Sequence, residues 1–293
     1  MAQYDVPPNP TLRLGTCSFT AHGWVGSFYP KGLPSKEHLG FYADEFDTVE
    51  LDVTFYRIPT QRMIESWYER TPESFVFAAK APRAITHEKL LLDCEGETEA
   101  FLSAMQGLGA KLGPILFQFP YFNRSKFKNL DEFLLRLEPF LKSLPRGLRY
   151  AVEVRNKWWI DVKLTELLGT YGVALAVIDQ AWMHSPKKIF ESVDPVTADF
   201  TYLRWLGDRH GIEEITKTWD KTILDRDSEL RDWVDLCQPI RTRGVTIYGY
   251  VNNHFAGHSP ATIRRLLDLM EPSVRRENAK PRTVVEPPTL FEM

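Results

Sequence analysis

Residues 150–179 read YAVEVRNKWWIDVKLTELLGTYGVALAVID, and this stretch shows the pattern that decides the fold. Two apolar runs, Tyr150 to Arg155 and Val173 to Asp179, have the length and composition of buried β-strands. Between them, Leu164 to Tyr171 has the periodicity of a helix. A strand–helix–strand segment of this kind returns the chain to a parallel neighbouring strand by a right-handed crossover.

The same alternation continues in both directions along the chain. The other predicted strands are Leu12 to Cys17, Thr48 to Thr54, Phe75 to Lys80, Ile115 to Phe119, Phe200 to Leu206 and Val245 to Asn252. The other predicted helices are Leu39 to Phe46, Gln61 to Arg70, Glu99 to Leu112, Leu130 to Leu141, Leu230 to Pro239 and Ile263 to Met270. An open, doubly wound sheet is the alternative, but no GxGxxG turn follows the first strand.

We therefore predict an α/β fold, a single (β/α)8 TIM-type barrel over residues 11–270. Residues 1–10 are predicted to form an N-terminal extension. Residues 271–293 are polar and interrupted by proline, which is typical of a flexible tail.

Composition limits the classes of function. The chain has 293 residues, of which 43% are hydrophobic and 26% charged, as in globular proteins. Its net charge of -3 gives no general attraction to nucleic acid, so any such binding needs a local basic patch. Cys17, Cys94 and Cys237 have no CxxC spacing, which favours a reducing compartment. No signal peptide and no apolar run long enough to span a bilayer are visible, so we predict a cytoplasmic protein without a membrane partner.

Polar side chains gather where the predicted strands end. In a barrel these positions converge on one cavity at the carboxyl ends of the strands. Buried carboxylates beside cations form either structural ion pairs or catalytic groups with shifted pKa values. The candidate catalytic residues are Glu50, Lys80, Glu153 and Arg155. The candidate substrate-binding residues are Tyr56, Arg83, His87, Gln118, Trp159, Asp179, Arg204, Asn252 and Asn253.

The cations among these candidates suit an anionic substrate, because arginine and lysine donate charge-assisted hydrogen bonds to phosphate and carboxylate. Aromatic residues in the same loops could stack on bases or sugars, or could form small cores inside the loops. No HExxH, GxSxG or P-loop motif occurs, and Cys17 is interpreted as a small buried residue. No cofactor is predicted, and the alternative that the residues leave open is a divalent metal held by Glu50, Glu153, Asp179 and a loop histidine.

Several short motifs occur one after another along residues 12–265. They are GTCSF at Gly15 to Phe19, WVGSFYP at Trp24 to Pro30, FDTVELDVTFYRIP at Phe46 to Pro59, Thr71 with Pro72, FVFAAK at Phe75 to Lys80, Thr86 with His87, LGP at Leu112 to Pro114 with Gln118 and Pro120, Glu153 with Arg155 and Trp159, Tyr202 with Arg204, and Asn252 and Asn253 with Gly257. Together they resemble the YecE-like family, also called domain of unknown function 72.

The resemblance implies a barrel of this type but no settled activity. It supports the site candidates Glu50, Tyr56, Lys80, His87, Gln118, Glu153, Arg155, Arg204 and Asn252. The chain departs from the family pattern at several positions. Cys17, Ser18 and Phe19 stand where serine, glycine and tryptophan are usual, Asp52 replaces an asparagine, and Asn156 and Leu206 replace histidines. These departures indicate a divergent branch with altered chemistry.

Three functions follow from these residues. The first is an enzyme of the hydrolase class that acts on a phosphate-bearing or other anionic substrate, with nucleic acid among the candidates. In it, Glu153 or Glu50 is the general base and the cations stabilise developing charge. The second is a glycoside hydrolase with Glu50 and Glu153 as its carboxylate pair. The third is a non-catalytic protein that binds nucleic acid or a partner, including a sliding clamp through Leu290 and Phe291 of the terminal TLFEM.

Overall fold

The computed structural model describes residues 12–271, in which eight parallel strands surround a common axis. The strands are β1 (Leu12–Thr16), β2 (Thr48–Leu51), β3 (Val76–Lys80), β4 (Leu112–Gln118), β5 (Tyr150–Glu153), β6 (Ala174–Gln180), β7 (Phe200–Gly207) and β8 (Thr246–Val251). The helices are α1 (His38–Glu45), α2 (Gln61–Glu69), α3 (Glu95–Gln106), α4 (Leu130–Ser143), α5 (Val162–Thr170), α6 (Pro186–Ser192), α7 (Arg209–Ile215), α8 (Asp227–Thr242), α9 (Asn253–Ala256) and α10 (Ser259–Met270).

The predicted (β/α)8 barrel is confirmed. Ladders join the strands in the order β2-β3-β4-β5-β6-β7-β8-β1, and helices lie between them along the chain. No helix within residues 12–271 is long and apolar enough to cross a membrane. The predicted N-terminal extension and almost all of the C-terminal tail lie outside the described residues, so those boundaries stay predictions.

The barrel closes where β1 approaches β2. A Cβ atom placed on Gly15 would lie 2.1 Å from the carbonyl oxygen of Thr48, so only glycine permits this approach. The hydroxyl of Tyr42 bridges the seam, because it accepts from the amide of Thr16 at 2.9 Å and donates to the Thr48 carbonyl at 3.1 Å. Glycine and one tyrosine thus bring the two strands together.

The interior of the barrel is filled by pairing large side chains with small ones. Tyr202 and Tyr250 face inward, with ring centroids 5.2 Å apart. Register pairs Ala176 with Tyr202, and alanines also occupy positions 78 and 151 on β3 and β5. Small residues on these strands leave room for the tyrosines, so the interior is a packed core rather than a pore.

Strand β2 is shorter than predicted, and this changes the direction of the side chains that follow it. It ends at Leu51, and Asp52–Phe55 form a 3-10 turn instead of continuing the strand to Thr54. The Thr54 hydroxyl holds this turn by contacts of 2.7 Å to the Leu51 carbonyl and 2.6 Å to the Lys80 carbonyl. The direction of the Asp52 side chain is therefore set by this turn and not by the alternation of side chains along a strand.

Three short helices, α6, α7 and α9, were not predicted. The first two have seven residues each and α9 has four, too few for a clear helical period. Helix α6 begins with proline, and its N-cap Ser185 accepts from the amide of Lys188 at 3.4 Å. A serine followed by proline is a start signal for a helix, and it could have identified α6.

Candidate functional site

Arg204 is the centre of a buried ionic network at the carboxyl ends of the strands, which we call the mouth. Its Nη2 donates to Glu50 Oε1 at 2.6 Å, and its Nη1 donates to Glu153 Oε2 at 2.7 Å. Both glutamates are fully buried, and Arg204 is 2% exposed. The second oxygen of Glu50 accepts from the hydroxyl of Tyr202 at 2.6 Å. One guanidinium therefore joins carboxylates from β2 and β5 across the interior of the barrel.

Glu153 also positions a second arginine. Its Oε1 accepts from Arg155 Nε at 2.9 Å, so both carboxylate oxygens have a cationic donor. Burial by itself raises the pKa of Glu153, but the charges of Arg204, Arg155 and Lys80 outweigh burial and lower the pKa to about 2. A carboxylate with this pKa is a weak base at neutral pH. The predicted role of Glu153 as general base therefore does not fit its surroundings.

Lys80 and Asp52 face each other beside this network. Lys80 Nζ lies 3.8 Å from Asp52 Oδ1, which is too long for a hydrogen bond, and 4.0 Å from the centre of the Phe55 ring. The lysine side chain is 12% exposed. Burial lowers its pKa, although Asp52 opposes this. We use the term polar cluster for the following residues: Glu50, Asp52, Lys80, Glu153, Arg155 and Arg204.

Asp52 has the most favourable pKa for acid–base work in the polar cluster. Burial and the negative charge of Glu50 raise the pKa of Asp52 to about 6, and they outweigh the opposing charges of Lys80 and Arg204. The side chain is one-third exposed, yet its Oδ1 is buried. Asp52 combines access to solvent with a pKa near neutrality, which are the properties of a general base.

Neutral His87 lies at the edge of the same site. Burial, followed by the positive charges of Lys80, Arg155 and Arg83, lowers the pKa of His87 to about 4. Its Nδ1 lies 2.8 Å from the hydroxyl of Thr86, and its ring packs on Phe55. Burial and these cations outweigh the opposing charge of Glu153, so the neutral form of His87 is favoured.

The mouth contains buried polar atoms without a hydrogen-bond partner among the described residues. Asp52 Oδ1, Arg204 Nε and Gln180 Oε1 are three such atoms. Leaving a buried polar group unpaired costs about 1–3 kcal/mol. Such atoms are usually completed by a bound ligand or by water.

Four predicted residues are not brought into the polar cluster. Asp179 faces outward and accepts from the indole nitrogen of Trp233 on α8 at 2.8 Å. The adjacent residue Gln180 then faces the interior, since side chains alternate along a strand. Asn252 caps α9 by accepting from the amide of His254 at 3.0 Å, and Asn253 accepts from Ser259 at 2.8 Å and 3.0 Å.

Trp159 is the fourth of these residues. It is 8% exposed and packs in an aromatic core within the loops, with ring centroids 5.1 Å from Phe133 and 5.8 Å from Phe122. This core is the alternative that the sequence left open for any single ring. Trp159 therefore has little surface left for a ligand.

The other candidates lie around the polar cluster. Gln118 is buried, and its amide donates to the backbone carbonyl of Phe119. Tyr56 is 73% exposed on the loop after β2. Arg83 is exposed and paired with Glu88 at 2.8 Å. Asp52 and Gln180 were missed as site residues. The register that pairs Ile178 with Arg204 places Gln180 rather than Asp179 on the face of the polar cluster, and the sequence does not show this register.

The set of metal ligands considered from the sequence does not assemble. Glu50 and Glu153 are bonded to Arg204, and Asp179 faces α8. Within residues 12–271, no group of three or more histidine, cysteine, aspartate or glutamate side chains is placed to hold a metal ion. Cys17 lies 3.8 Å from Arg204 Nη2, and burial raises the pKa of its thiol, so it is a poor nucleophile.

A groove of about 620 Å³ lies elsewhere on the surface, between residues 190–196 and residues 235–243. These segments end α6 and α8, near the amino ends of the strands and opposite the mouth. Its arginine, Arg243, is already paired with Asp194 at 2.9 Å. The groove therefore lacks the convergence of free donors that distinguishes the polar cluster.

Comparison with known proteins agrees with the order of motifs in the sequence. A family model described as protein of unknown function DUF72 matches residues 13–285. The chain belongs to the DUF72 family. The resemblance to YecE-like proteins is thereby confirmed, and the family description assigns no activity.

Relatives and solved structures of DUF72 proteins span most of the chain. UPF0759 protein YunF of Bacillus subtilis is 27% identical over 272 residues, which cover 86% of this chain and 93% of YunF. UPF0759 protein YecE of Escherichia coli is 29% identical over 177 residues, 55% of this chain and 63% of YecE. A DUF72 protein of Thermotoga maritima superposes with a TM-score of 0.67 at 24% identity, covering 88% of this chain and 97% of that protein. One of Enterococcus faecalis gives 0.66 at 19% identity, covering 89% and 95% respectively. The structural matches support the fold.

Proposed function

We propose that the polar cluster binds a phosphate ester and hydrolyses it, with Asp52 as general base. The observation that carries this proposal is the state of Lys80. Its ammonium group is largely buried, yet it donates no hydrogen bond within residues 12–271. Its nearest carboxylate, Asp52, lies at 3.8 Å, beyond hydrogen-bond distance, so the ammonium group keeps donors for a second anion.

Arg155 supplies further donors to the same anion. Its Nε is bonded to Glu153, which orients the guanidinium, whereas its two terminal nitrogens are bonded to no side chain in the described part of the chain. An arginine held in this way presents a planar pair of donors to phosphate oxygens. Glu50 and Glu153 hold Arg204, and they act as positioning residues rather than as acids or bases.

The reaction uses Asp52 and Lys80 as a pair. Asp52 removes a proton from water, the water oxygen forms a bond to phosphorus, and the bond from phosphorus to the leaving oxygen breaks. Lys80, whose pKa burial lowers, donates a proton to the leaving oxygen. The proton on Asp52 then returns to Lys80 across the 3.8 Å gap, directly or through water, which restores both groups.

The glycoside hydrolase alternative has no comparable support. Both of its carboxylates, Glu50 and Glu153, accept hydrogen bonds from Arg204 at 2.6 and 2.7 Å. A retaining or inverting mechanism needs one carboxyl group that gives up a proton and another that is free to attack or to activate water. The cytoplasmic location and the sliding-clamp contact through Leu290 and Phe291 stay predictions, the latter outside the described residues.

Two measurements test the proposal. Hydrolysis of p-nitrophenyl phosphate and bis(p-nitrophenyl) phosphate, with EDTA and again with Mg²⁺ or Mn²⁺, should fall about 10²- to 10⁴-fold in Asp52→Asn. The exposed Asp235→Asn is the matched control. Unchanged turnover in Asp52→Asn would reject the role of Asp52.

Binding of the anion is measured separately. Inorganic phosphate should raise the melting temperature of the wild-type protein and of Lys142→Met, whose lysine is exposed on α4, but not of Lys80→Met. An equal rise in Lys80→Met would place the anion elsewhere and overturn the proposal.

A further inference from the structure

Large aromatic side chains are exposed along one side of the mouth. Tyr121, Trp158 and Trp182 lie on the loops after β4, β5 and β6, and they are 67%, 70% and 43% exposed. Rings of this size usually contribute to a core, and the neighbouring Trp159 does so. We call these three exposed residues the aromatic rim. It borders the polar cluster, because Arg155 of the cluster and Trp158 of the rim lie on the same loop.

Contacts between loops hold the rim in place. The side chain of Asn156 accepts from the amide of Phe122 and donates to its carbonyl, both at 2.8 Å, which ties the loop carrying Tyr121 to the loop carrying Trp158. Trp158 in turn packs edge-to-face on His184, with ring centroids 4.5 Å apart. The Trp158 ring and the two loops that carry Tyr121 and Trp158 are therefore held in place before any ligand binds, which reduces the entropy cost of binding.

The same loops carry an excess of positive charge. The loop at residues 119–129 contains Arg124, Lys126 and Lys128, all exposed, and no acidic residue. Lys157 and Lys188 each lie 5.4 Å from the centre of the Trp158 ring. Because the net charge of the chain is -3, binding to a polyanion requires a local basic patch, and these side chains form one.

We infer that the rim binds single-stranded nucleic acid, which rests on the proposed function and names its substrate class. Bases stack on Tyr121, Trp158 and Trp182, and the basic side chains neutralise the phosphates between them. The strand then leads a phosphodiester to Lys80 and Arg155. A neutral sugar does not need the lysines, and a duplex hides the base faces that the rings would contact.

Fluorescence anisotropy of the full chain with a fluorescein-labelled oligodeoxyuridylate 12-mer, and with its oligouridylate counterpart, which differs only in the sugar, tests the inference. Trp158→Ala should weaken binding about tenfold, which is the effect of losing one stacked base. Tyr68→Ala removes a ring that is 44% exposed at the end of α2, away from the mouth, and should leave affinity unchanged. A preference for one 12-mer over the other identifies the sugar that the site recognises.

Salt dependence provides a second readout. The magnitude of the slope of log affinity against log salt should fall by about 0.7 for each phosphate that the protein no longer neutralises, as in Arg124→Gln or Lys157→Gln. The control Lys142→Gln should keep the wild-type slope. Equal affinity for duplex and single strand, or equal affinity in Trp158→Ala and wild type, would overturn the inference.

The two proposals fail in different ways. If p-nitrophenyl esters are hydrolysed but neither 12-mer binds at low salt, the rim inference is wrong and the proposed function stands. If a 12-mer binds through Trp158 but Asp52→Asn leaves every hydrolysis rate unchanged, the rim inference stands and the catalytic role of Asp52 is wrong.

Discussion

Replacement of Arg204 by methionine is the sharpest test of the buried ionic network. The substitution keeps an unbranched apolar stem but removes donors at 2.6 Å from Glu50 and 2.7 Å from Glu153. Glu50 then keeps the Tyr202 hydroxyl and the Cys17 thiol as donors, and Glu153 keeps Arg155. Breaking a buried ion pair from one side typically costs about 3–5 kcal/mol, because a charge is left without compensation. We expect Arg204→Met to lower the free energy of unfolding at pH 7 by that amount.

The Arg204→Met substitution should also change how the free energy of unfolding depends on pH. In the wild-type protein the pKa of Glu153 is lowered to about 2, so its stabilisation is present above the unfolded pKa and is lost as pH falls toward 2. In Arg204→Met the buried Glu153 loses the cation that lowers its pKa most and gains by taking up a proton, so the deficit in unfolding free energy relative to wild type should shrink as the pH falls from 7 toward 4.

Urea unfolding followed by tryptophan fluorescence at pH 7 and pH 4.5 measures both effects. Arg243→Met is the control, since its pair with Asp194 is about half exposed and should matter little. A loss below about 1 kcal/mol at pH 7, or a loss that does not change with pH, would show that Arg204 does not compensate these carboxylates.

Three further predictions concern other parts of the barrel. The rate of hydrolysis at low substrate should fall as pH drops below about 6, because Asp52 must be ionised to act as a base; a pH–rate profile without this limb contradicts the role. Gly15→Ala should destabilise the fold by about 1–3 kcal/mol or more in urea unfolding, because its Cβ would meet the Thr48 carbonyl at the seam. Trp233→Phe should cost about 1 kcal/mol by removing the donor of half-buried Asp179, with hydrolysis unchanged; lost activity would link Asp179 to the site after all.

The sequence predicts the barrel well because its signals are local. Each strand is an apolar run, and each longer helix shows a clear helical period of apolar residues. Because strands and helices alternate with short connections, few topologies are available to the chain. The buried partners Glu50, Glu153 and Arg204 also follow from strand ends, since parallel strands deliver their carboxyl ends to one place.

The details of the site depend on a turn, on strand register and on packing between loops, which the alternation of strands and helices in the sequence does not determine. The predicted strand puts Asp52 on the same face as Glu50, but its place beside Lys80 is set by a 3-10 turn, which depends on a contact between Thr54 and the distant Lys80 carbonyl. Asp179 was included because the face of β6 was not fixed by its register with β7. Trp158 and Trp159 are adjacent and identical in type, and only packing against the neighbouring loop separates the buried ring from the exposed one.

The position of Arg204 also ties closure of the barrel to charge neutralisation. Strand β2 lies in the first half of the chain, whereas β5 and β7 lie in the second, so Glu50 meets its cation only when the two half-barrels come together. Neither half contains the complete network. The two halves are therefore coupled into one cooperative folding unit, and an exchange of half-barrels between family members must preserve this pairing of charges across the join.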